Sequence, residues 1–143
     1  IKCCQLLFDE GISKIFVLGS KEDSKRFNSL TNKFSSKLIN KCGTNHLLND
    51  YALLKKSSIF IGNDSGMMHL SAMANTPSVC LFGPTDDKLY FPNLSNKSHL
   101  VRSQKSYKDL TSNISDLNSY DKSLMNELSY DKVSSIIKSI LNG

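Results

Sequence analysis

Short apolar runs alternate with longer amphipathic segments over the first hundred residues of the chain. Residues 14–18 (KIFVL) are a compact apolar run that reads as a strand ending at Gly19. Ser20 then caps a helix through about Leu30, with Glu22 and Asp23 in its first turn, where acids complement the helix dipole. Lys37–Asn40 reads as a second strand, followed by a Gly43-Thr44-Asn45 turn. A helix over His46–Leu54 comes next, with Leu47, Leu48 and Leu54 directed at a core. Ser58–Ile61 is the third strand and Met67–Ala74 the helix after it; Pro77–Phe82 is a fourth strand, broken by Gly83-Pro84. His99–Arg102 makes a last short strand, and Cys4, Leu7 and Phe8 mark one face of a helix at the start.

Strands separated by single helices need crossover connections, which are right-handed and give a parallel sheet covered on both faces. The expected fold is therefore α/β, a doubly wound parallel sheet of Rossmann-like type. Ligands in such sheets sit at the carboxyl ends of the strands. Residues 103–128 are rich in Ser, Asn, Asp and Lys without periodicity, and read as an irregular surface segment. Ser129 then caps an amphipathic terminal helix over residues 129–141, with Tyr130, Val133, Ile136, Ile137, Ile140 and Leu141 as its apolar stripe.

Composition narrows the function classes. The chain has 143 residues, a length that suits one domain, and 39% hydrophobic with 22% charged residues exclude collagen-like, coiled-coil and wholly disordered chains. Runs such as Ile15–Leu18 and Val79–Phe82 fall far short of the ~20 apolar residues a membrane helix needs. The formal net charge is +5, but the basic residues are scattered lysines with acids between them and only two arginines, Arg26 and Arg102. With no basic stripe and no interleaved aromatics, nucleic acid is not an expected partner. What remains is a mild preference for anionic ligands or anionic lipid surfaces. Cys3, Cys4, Cys42 and Cys80 form no CxxC pair, so no metal site is expected; Cys80 reads as a small buried hydrophobe, and a reduced, cytoplasmic state fits. The chain opens at Ile1 inside a helical pattern, which reads as a piece of a longer protein.

The chemistry concentrates at Gly62-Asn63-Asp64-Ser65-Gly66-Met67-Met68-His69. A strand ends there, a loop with two glycines turns, and a helix begins with unpaired backbone N–H groups that favour an anion. Ser65 caps the helix or offers its hydroxyl to a phosphate oxygen, and Gly66 leaves room for a phosphate to approach. Asp64, an acceptor when ionised, suits sugar hydroxyls, and His69 lies one turn into the helix. The second loop, Gly83-Pro84-Thr85-Asp86, follows the next strand and opens on the same edge. Asp-Ser-Gly and Gly-Pro are also ordinary turn and cap chemistry. Met67, Met68, Leu70 and Met73 read most simply as core and rim packing.

The run from Ser57 to Asp86 (SSIFIGNDSGMMHLSAMANTPSVCLFGPTD) resembles the donor-binding signature of the heptosyltransferase family, glycosyltransferase family 9. KIFVLGSKED, the Gly43–Leu54 stretch and the terminal LSYDKVSSIIKSIL are similar to further segments of that family, so the resemblance covers most of residues 10–102 and 128–141. It implies the carboxyl-terminal, nucleotide-sugar-binding half of a GT-B fold, truncated at its start. It also implies an inverting, metal-independent transfer of heptose or a related sugar from an ADP-sugar to a lipopolysaccharide core or lipid-linked acceptor, on the cytoplasmic side of the inner membrane with peripheral contact there. The donor-binding residues it implies are Asn63, Asp64, Ser65, Gly66, His69, Gly83, Pro84 and Thr85. The catalytic base is expected in the missing amino-terminal domain, no cofactor beyond the ADP-sugar substrate is expected, and this piece alone is expected to be inactive. Met67 and Asp87 stand where the family usually has Pro. Another GT-B enzyme, an epimerase or a different nucleotide-sugar transferase, and a non-catalytic module keeping the fold are the alternatives.

Overall fold

The structure is a computed structural model that describes residues 1–44, 46–83, 85–94, 96–102, 105, 108, 109, 112, 125 and 127–143. The chain divides into two compact units, Ile1–Leu53 and Leu54–Gly143.

In the first unit, α1 (Lys2–Asp9) precedes β1 (Ile15–Val17), α2 (Lys21–Phe34), a 3-10 turn (Ser35–Lys37) and β2 (Leu38–Asn40). β1 and β2 pair in parallel, Ile15 opposite Leu38 and Val17 opposite Asn40. The expected cap at Ser20 is present as a full capping box: Asp23 N–H donates to Ser20 Oγ at 3.3 Å, and Ser20 N–H returns a bond to Asp23 Oδ2 at 3.0 Å. The Ser20 hydroxyl also donates to that carboxylate, and these bonds hold the Asp23 carboxyl below its usual range. α2 runs one turn past the expected end near Leu30. Nothing breaks it until Ser35, at φ 52, and Phe34 on the added turn packs 5.4 Å from the Phe8 ring. Gly43, at φ +69, lies so close to Lys21 that an added Cβ would meet its Cα at 2.8 Å, so the turn after β2 needs glycine.

α3 (Leu47–Lys55) leads toward the second unit, and its orientation corrects the expectation for its leucines. Leu54 is buried, but Leu47 is 62% and Leu48 80% exposed. Asp50 and Leu54, four residues apart, define the buried face, and Leu48 lies on the opposite side of the helix.

The second unit continues with β3 (Phe60–Asn63), α4 (Gly66–Met73), β4 (Ser78–Phe82), α5 (Asp87–Tyr90), β5 (Ser98–Arg102) and α6 (Tyr130–Asn142). Its sheet has the order β3-β4-β5 and is parallel throughout, so the expected parallel α/β architecture is what forms. β3 lies two residues further along than Ser58–Ile61, taking in Gly62 and Asn63. The short helix α5 was not legible beforehand; Asp86 caps it by accepting from Lys88 N–H at 3.0 Å. Of the irregular segment expected over residues 103–128, most lies outside the described residues. Ser129 does cap α6, accepting from Lys132 N–H, and α6 buries Val133 and Ile137 while packing against β4 and β5; Tyr130 stays exposed.

The core beneath the strand ends is Met68, Cys80 and Phe82, with Phe60, Phe91 and Leu100 around them. Phe91 meets Phe82 edge-on, with ring centroids 6.3 Å apart. Met68 and Leu70 pack as expected, whereas Met73 is 63% exposed because it lies in the last turn, outside the face that α4 turns to β3 and β4. α4 ends in a Schellman motif: Asn75 at φ 56, Thr76 N–H bonded to Ser71 O, and Asn75 N–H to Ala72 O.

All four cysteines are free, and Cys80 is wholly buried as expected. Burial, and then the nearby Asp64 carboxylate, push its thiol up to about 11. In the unfolded chain the thiol ionises near its ordinary value. Between that value and about 11 the unfolded state has therefore lost a proton that the fold retains, and stability falls as pH rises through this window. Urea unfolding at about pH 8 and about pH 10.5 should show this loss, and Cys80→Ala should show a smaller one. An identical loss in both proteins would mean that Cys80 does not keep its proton.

Candidate functional site

β3 and β4 pair with Gly62 opposite Cys80 and Asn63 opposite Leu81, and Asp64 N–H continues the ladder to Leu81 O at 3.3 Å. The two strands thus end side by side, and the loops that follow them open on one edge. An added Cβ at Gly62 would fall 2.4 Å from the Phe60 ring, so a larger residue there must push that ring aside.

The chain turns into α4 within two residues, tighter than the expected loop over residues 62–66. Asn63 is the last, exposed residue of β3, and Asp64 is half-buried. Ser65 is the N-cap in an extended conformation (φ −163, ψ 168), yet its side chain accepts no capping bond. Of the two roles expected for its hydroxyl, capping is therefore not the one taken. Met68 N–H bonds to Ser65 O at 3.0 Å, and the N–H groups of Gly66 and Met67 precede the first intrahelical bonds. An added Cβ at Gly66 would meet nothing within 4 Å, so the helix start faces open space. His69 is exposed, one turn into α4.

The second loop is built differently. Gly83 is buried directly after β4, and a Cβ there would fall 2.6 Å from Met125 Sδ. Thr85 is half-buried; Pro84 lies outside the described residues. The loop is held by a residue that sequence reasoning passed over. Arg102, the last residue of β5, donates from Nη1 to Gly83 O at 2.9 Å and from Nη2 to Thr85 O. Its Nε lies 2.5 Å from Asp87 Oδ1, as a charge contact rather than an aligned hydrogen bond, and its guanidinium stands 5.9 Å from the Phe82 ring centroid. Among the described residues, no group of three or more His, Cys, Asp or Glu side chains is placed to hold a metal ion.

Asn63, Asp64, Ser65, Gly66 and His69 therefore sit together at the β3–α4 junction, and Gly83 and Thr85 lie beside them at the end of β4. The junction offers N–H donors and a hydroxyl; in the neighbouring loop, Gly83 O and Thr85 O are bonded to Arg102. Exposed N–H donors at a helix start, beside the strand ends of a Rossmann-like α/β fold, are the arrangement whose electrostatics favour an anion.

Comparison with known proteins gives the class a family. Residues 2–119 match the family described as glycosyltransferase family 9 (heptosyltransferase). The chain belongs to that family. It is 29% identical over 105 residues to lipooligosaccharide heptosyltransferase 2 of Haemophilus influenzae, covering 71% of this chain and 30% of that protein. It is 30% identical over 100 residues to lipopolysaccharide heptosyltransferase 2 of Escherichia coli, covering 67% of this chain and 28% of that one. The chain thus spans less than a third of the length of these curated relatives. Its fold matches the E. coli ADP-heptose LPS heptosyltransferase II structure with a TM-score of 0.77, at 24% identity over 99% of this chain and 40% of that one. A family 9 glycosyl transferase from Veillonella parvula aligns at 0.74, with 22% identity over 90% and 36% of the two chains.

The glycines of the first loop separate two requirements. Gly62→Ala must displace the Phe60 ring and should cost about 1–3 kcal/mol of stability. Gly66→Ala enters open space in a helical backbone and should range from neutral to about 1 kcal/mol stabilising. Equal losses for the two in urea unfolding would contradict this assignment of space.

Proposed function

We propose that the chain is the nucleotide-sugar-binding domain of a glycosyltransferase that moves heptose, or a related sugar, from an ADP-sugar to a lipopolysaccharide core acceptor. The observation that carries the reading is the open helix start at Gly66 beside the braced Gly83–Asp87 loop, in a chain of the heptosyltransferase family. The names of the relatives, lipopolysaccharide and lipooligosaccharide heptosyltransferase 2, support the sugar and the acceptor.

In this reading the donor diphosphate lies at the start of α4, against the N–H groups of Gly66 and Met67 and the Ser65 hydroxyl. Asp64, half-buried and an acceptor when ionised, faces sugar hydroxyls; Asn63 and His69 border the same group, and Gly83, Pro84 and Thr85 line its other side. A base outside these residues, on the domain expected before them, takes the acceptor hydroxyl proton. The acceptor oxygen bonds to the anomeric carbon as the bond from that carbon to the phosphate oxygen breaks, and ADP leaves with the electron pair. Negative charge then grows on the diphosphate where the helix terminus is fixed to receive it, so no metal is assigned a part. The acceptor's lipid places the reaction at the cytoplasmic face of a membrane, with peripheral contact. No helix among the described residues is long and apolar enough to cross one.

Calorimetric titration of the folded chain should show ADP binding in the millimolar range or tighter, with UDP and GDP weaker, and no sugar transfer. Absence of heat with ADP would count against the reading, and tighter UDP or GDP binding would move it to another nucleotide-sugar enzyme. Asp64→Ala should weaken ADP-sugar more than ADP, since the carboxylate is assigned to the sugar.

A further inference from the structure

The Gly83–Asp87 loop shares an edge with an anion-receptive helix terminus, yet backbone carbonyls in such a loop would repel an anion. Two of them are turned away. Gly83 O and Thr85 O both accept from Arg102, whose Nε contacts Asp87 Oδ1 at the loop's far end. The side chains are shielded, Arg102 to 13% and Asp87 to 22% exposure, so the pair acts with little screening by water. On the opposite side Gly83 meets Met125. One cation from the neighbouring strand thus contacts Gly83, Thr85 and Asp87 together.

We infer that Arg102 is a positioning residue: it sets the shape in which the Gly83–Asp87 loop meets the nucleotide and makes no phosphate contact of its own. This rests on the nucleotide site proposed above. An arginine beside a diphosphate site invites the opposite assignment, that of a direct phosphate ligand. Here one N–H of each Nη is given to a carbonyl and the charge is matched by Asp87, so swinging the guanidinium out toward a phosphate would give up these contacts.

The two roles predict opposite signs for one substitution. If Arg102 positions the loop, Asp87→Asn loosens it and weakens ADP binding, by about threefold. If Arg102 is a phosphate ligand, Asp87→Asn frees its charge and tightens ADP binding. Arg102→Lys keeps the charge but loses the fork that reaches two carbonyls, and should weaken ADP about tenfold. The experiment is calorimetric titration of ADP into the wild-type chain, both variants and Val101→Ala, at one ionic strength, with circular dichroism and thermal melts on each. Val101→Ala destabilises the same strand without touching the loop and should keep wild-type affinity. Tighter binding by Asp87→Asn, unchanged binding by Arg102→Lys, or an equal loss in Val101→Ala would overturn the inference. Hydrogen exchange without nucleotide separates it from the site reading. The Leu89, Tyr90 and Phe91 amides, bonded to the carbonyls of Asp86 and Asp87, should exchange at least about tenfold faster in Asp87→Asn and Arg102→Lys, with Val79–Phe82 unchanged. Lack of ADP binding by the wild type would defeat the site reading alone, and unchanged exchange at these amides would defeat the role of Arg102.

Discussion

The parallel register of β3 on β4 is the constraint on which the site depends. It sets Asn63 opposite Leu81 and carries one bond further, from Asp64 N–H to Leu81 O, before the chains part. Because that bond lies beyond the last strand residue, the start of α4 is fixed relative to the end of β4 by backbone alone. A slip of one residue would reverse every side chain between the faces of the strand and bring Phe60 and Ile61 into each other's places.

Register in turn depends on what lies under it. Met68, from the first turn of α4, and Cys80 and Phe82, from β4, meet in one buried cluster, so the helix is seated by the strand whose loop it faces. At the other end of α4 the anchoring is polar. Ser71 Oγ lies 2.7 Å from Met68 O and 3.0 Å from Ser78 Oγ, and Ser78 Oγ lies 2.7 Å from Thr76 O, so the two hydroxyl protons are shared over these three contacts, while Thr76 donates to Leu54 O. These buried hydroxyls are worth keeping only because each finds a partner, and an unmatched one would cost about 1–3 kcal/mol. The helix is therefore held at its far end by hydrogen bonds and beneath its start by packing, while its first N–H groups stay outside both sets of contacts.

Much of this was legible in the sequence, because strand and helix periods, caps and glycine turns are local signals. Ser20 with Asp23, Ser129 before its apolar stripe, and the Gly-Asn-Asp-Ser-Gly junction all announce themselves within a few residues. What escaped depends on partners far along the chain. Leu48 looks apolar enough for a core, but its helix is oriented by Asp50 and Leu54. Gly62 and Asn63 look like loop residues in the sequence, and only pairing with Cys80 and Leu81 makes them the end of β3. Arg102 carries no local signature either, since its acceptors are backbone carbonyls nineteen and seventeen positions away. The available clue was an arginine closing the strand that follows an acidic loop, Asp86-Asp87, in a chain whose other cations are nearly all lysine.

Three glycines on this edge show how the labour divides. Gly62 makes way for a ring below it, Gly83 makes way for the Met125 side chain, and Gly66 makes way for nothing within 4 Å. At the first two a side chain of the protein would have to move for any larger residue, the Phe60 ring at Gly62 and the more flexible Met125 at Gly83. At Gly66 the fold imposes no such demand, and the backbone there is ordinary helix that any residue adopts. The same reasoning separates the two loops: the first is open at its helix start, and the second has two of its carbonyls, Gly83 O and Thr85 O, bonded to a cation of the neighbouring strand.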